Sequence, residues 1–494
     1  MSKMMLSELL KAVAVVESDV EITSITLDSR AVTEGTLFIA LHGVMKHAVE
    51  YAEVAEGNGA AAIIWETDEH YSTPNVSIPC IAVADLRSKA GEIANRFFGQ
   101  PSAELNVIGI TGTDGKTTVS NFIAQALNQE KEHCAVIGTL GKGVPGRLID
   151  TGHTTPDVIT VHETLAEMRE EGIDTVAMEV SSHALDQGRI LGVDVDVAVL
   201  TNLSRDHLDY HETLEAYAQA KARLFAWPSL KTLVVNLDDA FGQEIAGEYA
   251  NKEVEVINYC VGDPSELPVE YLVANNPNYN AKGIQAGIHF NGQEIALTVG
   301  VIGTFNLHNI LATIGALLAS GYSLQAAVAM VEKVETVPGR MERVENDKGF
   351  LVVVDYAHTP MALEQAIEAL KHHTEGDLIT VFGCGGDRDR GKRPKMAEVA
   401  ERLSHTIVMT DDNPRSEMPF QIMDDMIRGL QNPEMVAVVH NRTAAIRHAF
   451  SLAGKGDTVL VAGKGHETVQ IVGDERRPFD DREQAQSLLK GMPS

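Results

Sequence analysis

NVIGITGTDGKTTVSNFIAQAL, residues 106–127, passes from an apolar β-type run through a glycine-bracketed polar loop into a helical stretch. Consecutive backbone N–H groups and a helix N-terminus can wrap a triphosphate there. Lys116 supplies charge for the β/γ oxygens, and a threonine hydroxyl supplies a Mg²⁺ ligand. The loop departs from a strict G-x-x-x-x-G-K, because Ile110 holds the leading-glycine position and Gly109 lies one residue early. The strand–loop–helix context still predicts ATP binding through Gly112, Thr113, Asp114, Gly115, Lys116, Thr117 and Thr118.

Downstream the rhythm continues with TVAMEV, DVAVLTNLSRDH and TLVVNLDD. Alternating β and α elements argue for an α/β fold with a parallel sheet covered by helices. Glu179 closes the run TVAMEV, where a carboxylate beside a phosphate loop is placed to hold Mg²⁺. Alone, it would read as a solvated strand end. The segment Thr201–His211, TNLSRDHLDYH, is dense in polar side chains, which cost burial energy unless metal or substrate satisfies them. Mg²⁺ prefers oxygen, so the residues leave His207 open between a second metal ligand and a structural ring.

A third set begins near Gly339: FLVVVDYAHTP, LITVFGCGGDRD, TIVMTDDNPR and TVLVAGKGHE. Each apolar run enters a polar loop, which is where open α/β sheets place ligands. Gly385–Lys395 carries five basic residues and reads either as a solvated charge run or as an anion site.

Residues 1–100 hold short apolar runs (SITLDSR, TLFIAL, AAAIIWE, PCIAVAD) and suggest a small α/β unit. The N-terminal MSKMMLSELLKAVAVVESDV reads as an amphipathic helix, not a signal peptide. Ile295–Val331 lacks Asp, Glu, Lys and Arg, but glycines and asparagines interrupt it before a membrane span accumulates. We read it as a strand end, a loop and a buried helix. A net charge of −30 argues against nucleic-acid or anionic-membrane partners. Four cysteines with no C-x-x-C spacing argue against a disulfide framework or a thiolate zinc site and fit a reducing cytoplasm.

Ten segments together resemble the Mur ligase family. They are GTDGKTT, TTPD (154–157), MEVSSHAL, TNLSRDHLDYH, Asn306-Leu307-His308-Asn309, Pro338–Glu342, Asp355–Pro360, GCGGDRDRGKRP, DDNPR and AGKGHE, in family order over almost the whole chain. The resemblance implies three domains. Residues 1–100 would bind UDP, 101–338 would form the central ATP-binding P-loop domain, and 339–494 a Rossmann-like domain for the incoming amino acid. It assigns Leu27, Ser29, Val44, Met45, Lys46, His153, Thr154, Thr155, Ser181, Gln187 and Arg189 to the UDP-muramoyl-dipeptide. Asn309, Arg340 and Asp355 join the nucleotide contacts. Lys221 matches a lysine that the family carbamylates into a metal ligand, beside Thr117, Glu179 and His207.

The implied reaction adds meso-diaminopimelate to UDP-N-acetylmuramoyl-L-alanyl-D-glutamate, with ATP as co-substrate, Mg²⁺ as cofactor and an acyl-phosphate intermediate. Arg388, Asp412, Asn413, Pro414, Arg415, Gly463 and Glu467 match the family's diaminopimelate contacts, and the Arg of Asn-Pro-Arg separates diaminopimelate-adding from lysine-adding enzymes. A guanidinium pairs with diaminopimelate's second carboxylate and would sit beside an unpaired ammonium in lysine. A cytoplasmic monomer without membrane insertion is expected. The rivals are a lysine-adding enzyme, another Mur or folyl-polyglutamate-type ligase, and a non-enzymatic nucleotide switch. The chain departs from the family at Asp114, where Asn is usual, and at His47-Ala48, where Asp-Gly is usual.

Overall fold

The structure is a computed structural model that describes residues 3–43, 46–129 and 133–492. It forms two compact units. One takes the chain up to Tyr259 together with Gly315–Tyr322, the other Cys260–Ile314 together with Ser323 onward.

The first unit holds two sheets. The N-terminal runs pair in chain order as a four-stranded parallel sheet, Ser24–Thr26, Thr36–Ala40, Ala60–Glu66 and Cys80–Val83. Leu37, Ile39, Ala62 and Ile64 face one core on this sheet and Phe38, Ala40, Ile63 and Trp65 the other, the alternation of a sheet buried on both sides. The expected N-terminal helix is one turn, Leu6–Leu9. Asp19 takes the Ser7 backbone N–H and hydroxyl, and Ala12 sits at φ 64°, which no helix continues through.

The second sheet runs in space Glu255–Val261, Thr232–Asn236, Val197–Leu200, Asn106–Thr111, Thr175–Glu179, Cys134–Gly138 and Gly141–Gly143. All neighbours are parallel except the last pair. The phosphate-loop strand is thus central, and the helix Lys116–Leu127 follows its loop. The helix Leu86–Phe97 and the turn at Leu191-Gly192 approach backbone against backbone. A Cβ on Gly91 would overlap the Leu191 carbonyl, and one on Gly192 would crowd the Gly91 carbonyl.

The second unit contains an antiparallel meander, Leu272–Asn280, Gly283–Phe290 and Gln293–Val299. The sequence reading missed it. Ile295–Val331 carries the last of these strands and two helices, not one, because Gly321 at φ 89° ends Phe305–Ala319 before Leu324–Val331 begins. A six-stranded sheet follows in the order Glu342–Arg343, Leu351–Asp355, Thr458–Ala462, Leu378–Phe382, Thr406–Met409 and Ala437–Val438. Only its first pair is antiparallel. Apolar clusters cover both faces, as a doubly wound sheet requires. Helix starts are capped by side chains, Thr359 accepting from Ala362 N ahead of Pro360 and Asp157 from Ile159 N and Thr160 N.

Candidate active-site loops

The phosphate loop is built from backbone. Gly112 stands at φ 148° and Gly115 at φ 85°, and a Cβ on Gly112 would overlap Thr201 Oγ1. Lys116 Nζ donates to the carbonyls of Gly112 (2.9 Å) and Thr113 (2.8 Å). TNLSRDH braces this loop. Asn202 Oδ1 accepts from Asp114 N, Thr201 Oγ1 donates to Asp114 O, and Ser204 N donates to Thr113 Oγ1. Thr201, Asn202 and Ser204 thus spend their polar groups on the phosphate loop, while Tyr210 and His211 bond Asp186, Gln187 and Ser182.

Glu179 is 1% exposed and accepts from Thr117 Oγ1 (3.0 Å), Thr139 N (2.9 Å) and Thr139 Oγ1 (3.0 Å). Burial pushes its carboxyl above the ordinary range, against the pull of the Lys116 charge. Gly138, which the sequence reading overlooked, makes the room, since a Cβ there would overlap Glu179 Oε1.

Lys221 is also 1% exposed, and its Nζ donates to Gly112 O at 2.6 Å and lies 4.3 Å from the Tyr217 ring centre. Burial, then the nearby Lys116, depress its pKa well below the lysine value, which favours a neutral amine. Asp206 and Asp114 pull the other way, so the unusual Asp114 carboxylate acts on Lys221. His207 sits at φ 53°, half exposed, with Asp206 3.5 Å away. Its ring meets His183 and Tyr217. Tyr217, four residues before Lys221 on one helix, was missed. It touches Lys221, His207 and His211 and hydrogen-bonds Thr113. Among the described residues no cluster of three or more His, Cys, Asp or Glu is arranged to hold a metal.

A cavity of about 230 Å³ opens in the same unit, lined in part by Leu27, His153, Gln187 and Arg189, together with the unanticipated Arg87 and Asp157. Arg189 is fixed by bonds to Thr155 O (2.7 Å) and Gln187 Oε1 (2.8 Å). Thr155 ties to Glu179 O and Ser181 N, and Thr154 to Thr139, so the expected muramoyl contacts connect to the Glu179 strand. Ser29 and Lys46 stand off the cavity wall. The Ser29 carbonyl accepts from Asn58, and Lys46 pairs with Glu50. Val44 and Met45 lie outside the described residues. At the departure His47-Ala48 the buried His47 ring accepts from Val49 N and hydrogen-bonds Glu66 O, and so closes the loop without the family's Asp-Gly.

In the second unit, Asp355 accepts from Met341 N and Ala357 N, and burial pushes its carboxyl up. Arg340 stacks 5.0 Å from the Tyr356 ring, and its buried Nε has no partner among the described residues. Asn309 bonds Asn306, which holds Ile302 O.

The loops GCGGDRD, DDNPR and AGKGHE lie at the carboxyl ends of parallel strands. Arg415, at φ 51°, donates to Gly386 O at 2.8 Å. A Cβ on Gly385 would crowd Arg415 Nη1 and lie in ordinary contact with Arg388 Cγ, so both side chains lie beside one glycine. Asp412 and Asn413 are buried, and a Cβ on Gly463 would crowd Asp412 Oδ2. The Pro414 carbonyl sits where a Gly386 Cβ would go. Glu467 holds Lys464 (2.9 Å) and Asn413 (2.8 Å). The basic run corrects one alternative. Arg393 and Arg390 are spent on Glu417 and Lys392 on His358 O, which leaves Arg388 as the guanidinium bonded only to a backbone carbonyl. Arg393 is fully buried, and its hydrogen bonds hold the Glu417 carboxyl down to about 2.

Comparison with known proteins agrees with these loops. Residues 21–98 match the Mur ligase family catalytic domain, 110–317 the Mur ligase middle domain and 339–465 the Mur ligase glutamate ligase domain. The chain is 46% identical over 479 residues, covering 97% of each, to a UDP-N-acetylmuramoyl-L-alanyl-D-glutamate--2,6-diaminopimelate ligase of Pseudomonas syringae pv. tomato. It is 44% identical to a protein of the same name from Coxiella burnetii, covering 96% of each. A solved structure of such a ligase superimposes with a TM-score of 0.76 at 37% identity over 99% of both chains. At 20% identity, MurF from Acinetobacter baumannii shares the fold, with a TM-score of 0.62 over 92% of this chain and 95% of that one. With a phosphate loop, a braced Glu179 and three strand-end loops on an α/β scaffold of that architecture, the chain belongs to the Mur ligase family.

Proposed function

We propose that the protein joins an amine of meso-diaminopimelate to the terminal carboxylate of UDP-N-acetylmuramoyl-L-alanyl-D-glutamate in peptidoglycan precursor synthesis, converting ATP to ADP and phosphate. The observation that carries the choice of amino acid is the pair Arg388 and Arg415 around Gly385, beside the Glu467–Asn413 cluster. Guanidinium groups suit the second carboxylate that distinguishes diaminopimelate from lysine.

The Lys116 loop binds and orients ATP so that its γ-phosphate meets the peptide carboxylate, which becomes an acyl phosphate. The amine then attacks the acyl carbon, the C–N bond forms, and phosphate leaves with the mixed-anhydride bond. The chain's task is positioning and charge neutralisation, with no covalent nucleophile. The oxygen donors Thr117 and Glu179, hydrogen-bonded to one another, fit a hard cation. Lys221 and His207 are the proposed further ligands, Lys221 after its neutral amine adds CO₂ and loses a proton to give a carbamate. Mg²⁺ at these residues would offset negative charge as carboxylate and γ-phosphate approach. Residues 1–100, 101–338 and 339–494 are the proposed UDP, ATP and amino-acid segments. Four cysteines that form no disulfide fit a proposed cytoplasmic setting, and the proposed active species is the monomer. Among the described residues no helix is long and apolar enough to cross a membrane.

The test is ATP-dependent phosphate release with the UDP-dipeptide and a panel of third amino acids. Turnover that requires the dipeptide and prefers meso-diaminopimelate is expected. Equal turnover of L-lysine would leave a ligase of other specificity, and phosphate release without either substrate would point to a nucleotide switch.

A further inference from the structure

Lys464 belongs to none of the substrate contacts assigned above, yet it is 0% exposed and lies among them. Its Nζ donates to Asn413 Oδ1 at 3.0 Å and to Glu467 Oε2 at 2.9 Å, with Asp412 Oδ1 3.9 Å away. Asn413 Nδ2 donates to the same Glu467 oxygen at 2.8 Å, and Asn413 Oδ1 also accepts from Ile471 N at 2.9 Å. With Oδ1 taking two donors, the amide has one orientation. The DDNPR and AGKGHE loops are thereby tied into one closed network.

The charges give the network a purpose. A buried ammonium is costly without partners, and a lysine with only a packing role is replaceable by an apolar side chain of similar volume. Here one ammonium faces two carboxylates, Asp412 and Glu467. The other buried cation acting on them, Arg442, is paired with buried Asp481 at 2.6 Å. One negative charge is left over, and both bonds to Glu467 land on Oε2, which leaves Oε1 for an incoming cation.

We propose that Lys464 is a positioning residue for the amino-acid substrate, holding Asn413 and Glu467 ready for the distal end of a diamino diacid, which carries an ammonium beside a carboxylate. The inference rests on the diaminopimelate reading above and adds the residue that arranges its recognition loops. Burial alone would push the Glu467 carboxyl up; the Lys464 charge and hydrogen bond, the Asn413 amide and His466 hold it below its ordinary value. Asp412, Arg442 and Tyr356 also act in this cluster, and His358 and Cys384 face Asp412.

The experiment is steady-state kinetics of Lys464→Met and Lys464→Arg in the full chain, from pH 5 to 9, with KM measured for all three substrates. For Lys464→Met we expect KM for meso-diaminopimelate to rise about tenfold or more, with kcat and the other two KM values within about threefold. The acid limb of kcat/KM for meso-diaminopimelate should also move upward, because Glu467 then takes up a proton at higher pH. Lys464→Arg should keep the wild-type acid limb while raising that KM, since a planar fork cannot reproduce the ammonium's bonds. An unchanged diaminopimelate KM, or a uniform loss in kcat and all three KM values, would overturn the proposal. If Lys464→Met does not fold, Lys464→Arg decides in the same terms. Wild-type turnover of L-lysine equal to that of meso-diaminopimelate would instead overturn the reading beneath it.

Discussion

The phosphate loop and the DDNPR–AGKGHE cluster both await charged ligands, and they are built on opposite plans. In the first, glycines at φ 148° and 85° aim backbone N–H groups, and one lysine supplies charge. In the second, backbone mostly anchors, while the side chains of Arg388, Arg415, Asn413 and Glu467 are the proposed recognising groups. Backbone donors fit any triphosphate, whereas side chains discriminate between amino acids. The first region should therefore govern whether the reaction occurs, and the second which amino acid enters it.

The sharpest way to break that division is Lys116→Ala. Turnover should fall by about 10³ or more with the fold intact, because the change deletes a phosphate-facing charge from a loop. Phosphate release within about threefold of wild type would defeat the assignment. Lys221→Ala should lose on the order of 10² or more and recover in part with added short-chain carboxylic acid, which supplies the missing carboxylate. Lys116→Ala should show no such rescue. If bicarbonate removal leaves the wild type unchanged and acetate leaves Lys221→Ala unchanged, the carbamate is wrong.

Arg415→Ala tests the other side. It should lower kcat/KM for meso-diaminopimelate by about 10² while KM for ATP stays put, the usual cost of leaving a carboxylate unpaired. An equal loss for every substrate would mean that Arg415 serves the fold. The last test concerns stability and leaves turnover aside. Glu417 is held at about 2 against an ordinary 4.5, so its ion pairs are intact above pH 4.5 and their contribution is lost as pH falls towards 2. Glu417→Gln should cost about 3 kcal/mol at neutral pH, and less in acid. Chemical denaturation at pH 7 and pH 3 checks this, and equal losses at both would contradict it.

Much of the fold was legible because strands buried on both faces read as continuous apolar runs, as in LVVVD and TVLVA. The meander was missed although Asn291-Gly292, at φ 50° and 73°, is a hairpin signature between β-type runs. That signal was available. Lys464 and Tyr217 carried none that sequence alone could use, since their meaning depends on Asn413 and Thr113, 51 and 104 positions away. The basic run at Gly385–Lys395 stayed open in sequence for the same reason: Glu417, which pairs with Arg390 and Arg393, lies beyond the next strand. The N-terminal helix failed because periodicity cannot see Asp19 capturing Ser7.

The glycine contact between Gly91 and Leu191-Gly192 has a consequence for modular exchange. Where a helix of the N-terminal segment meets the turn at Leu191-Gly192 with no room for a Cβ on either side, neither partner is a cassette that can be traded freely. The 230 Å³ cavity takes Leu27 and Arg87 from one side of that seam and Gln187 and Arg189 from the other. A chimera grafting residues 1–100 of a relative onto this chain should keep its affinity for the UDP-dipeptide only if glycine is retained on both sides of the seam. Engineers seeking hybrid enzymes would do better to cut on the far side of the phosphate-loop sheet.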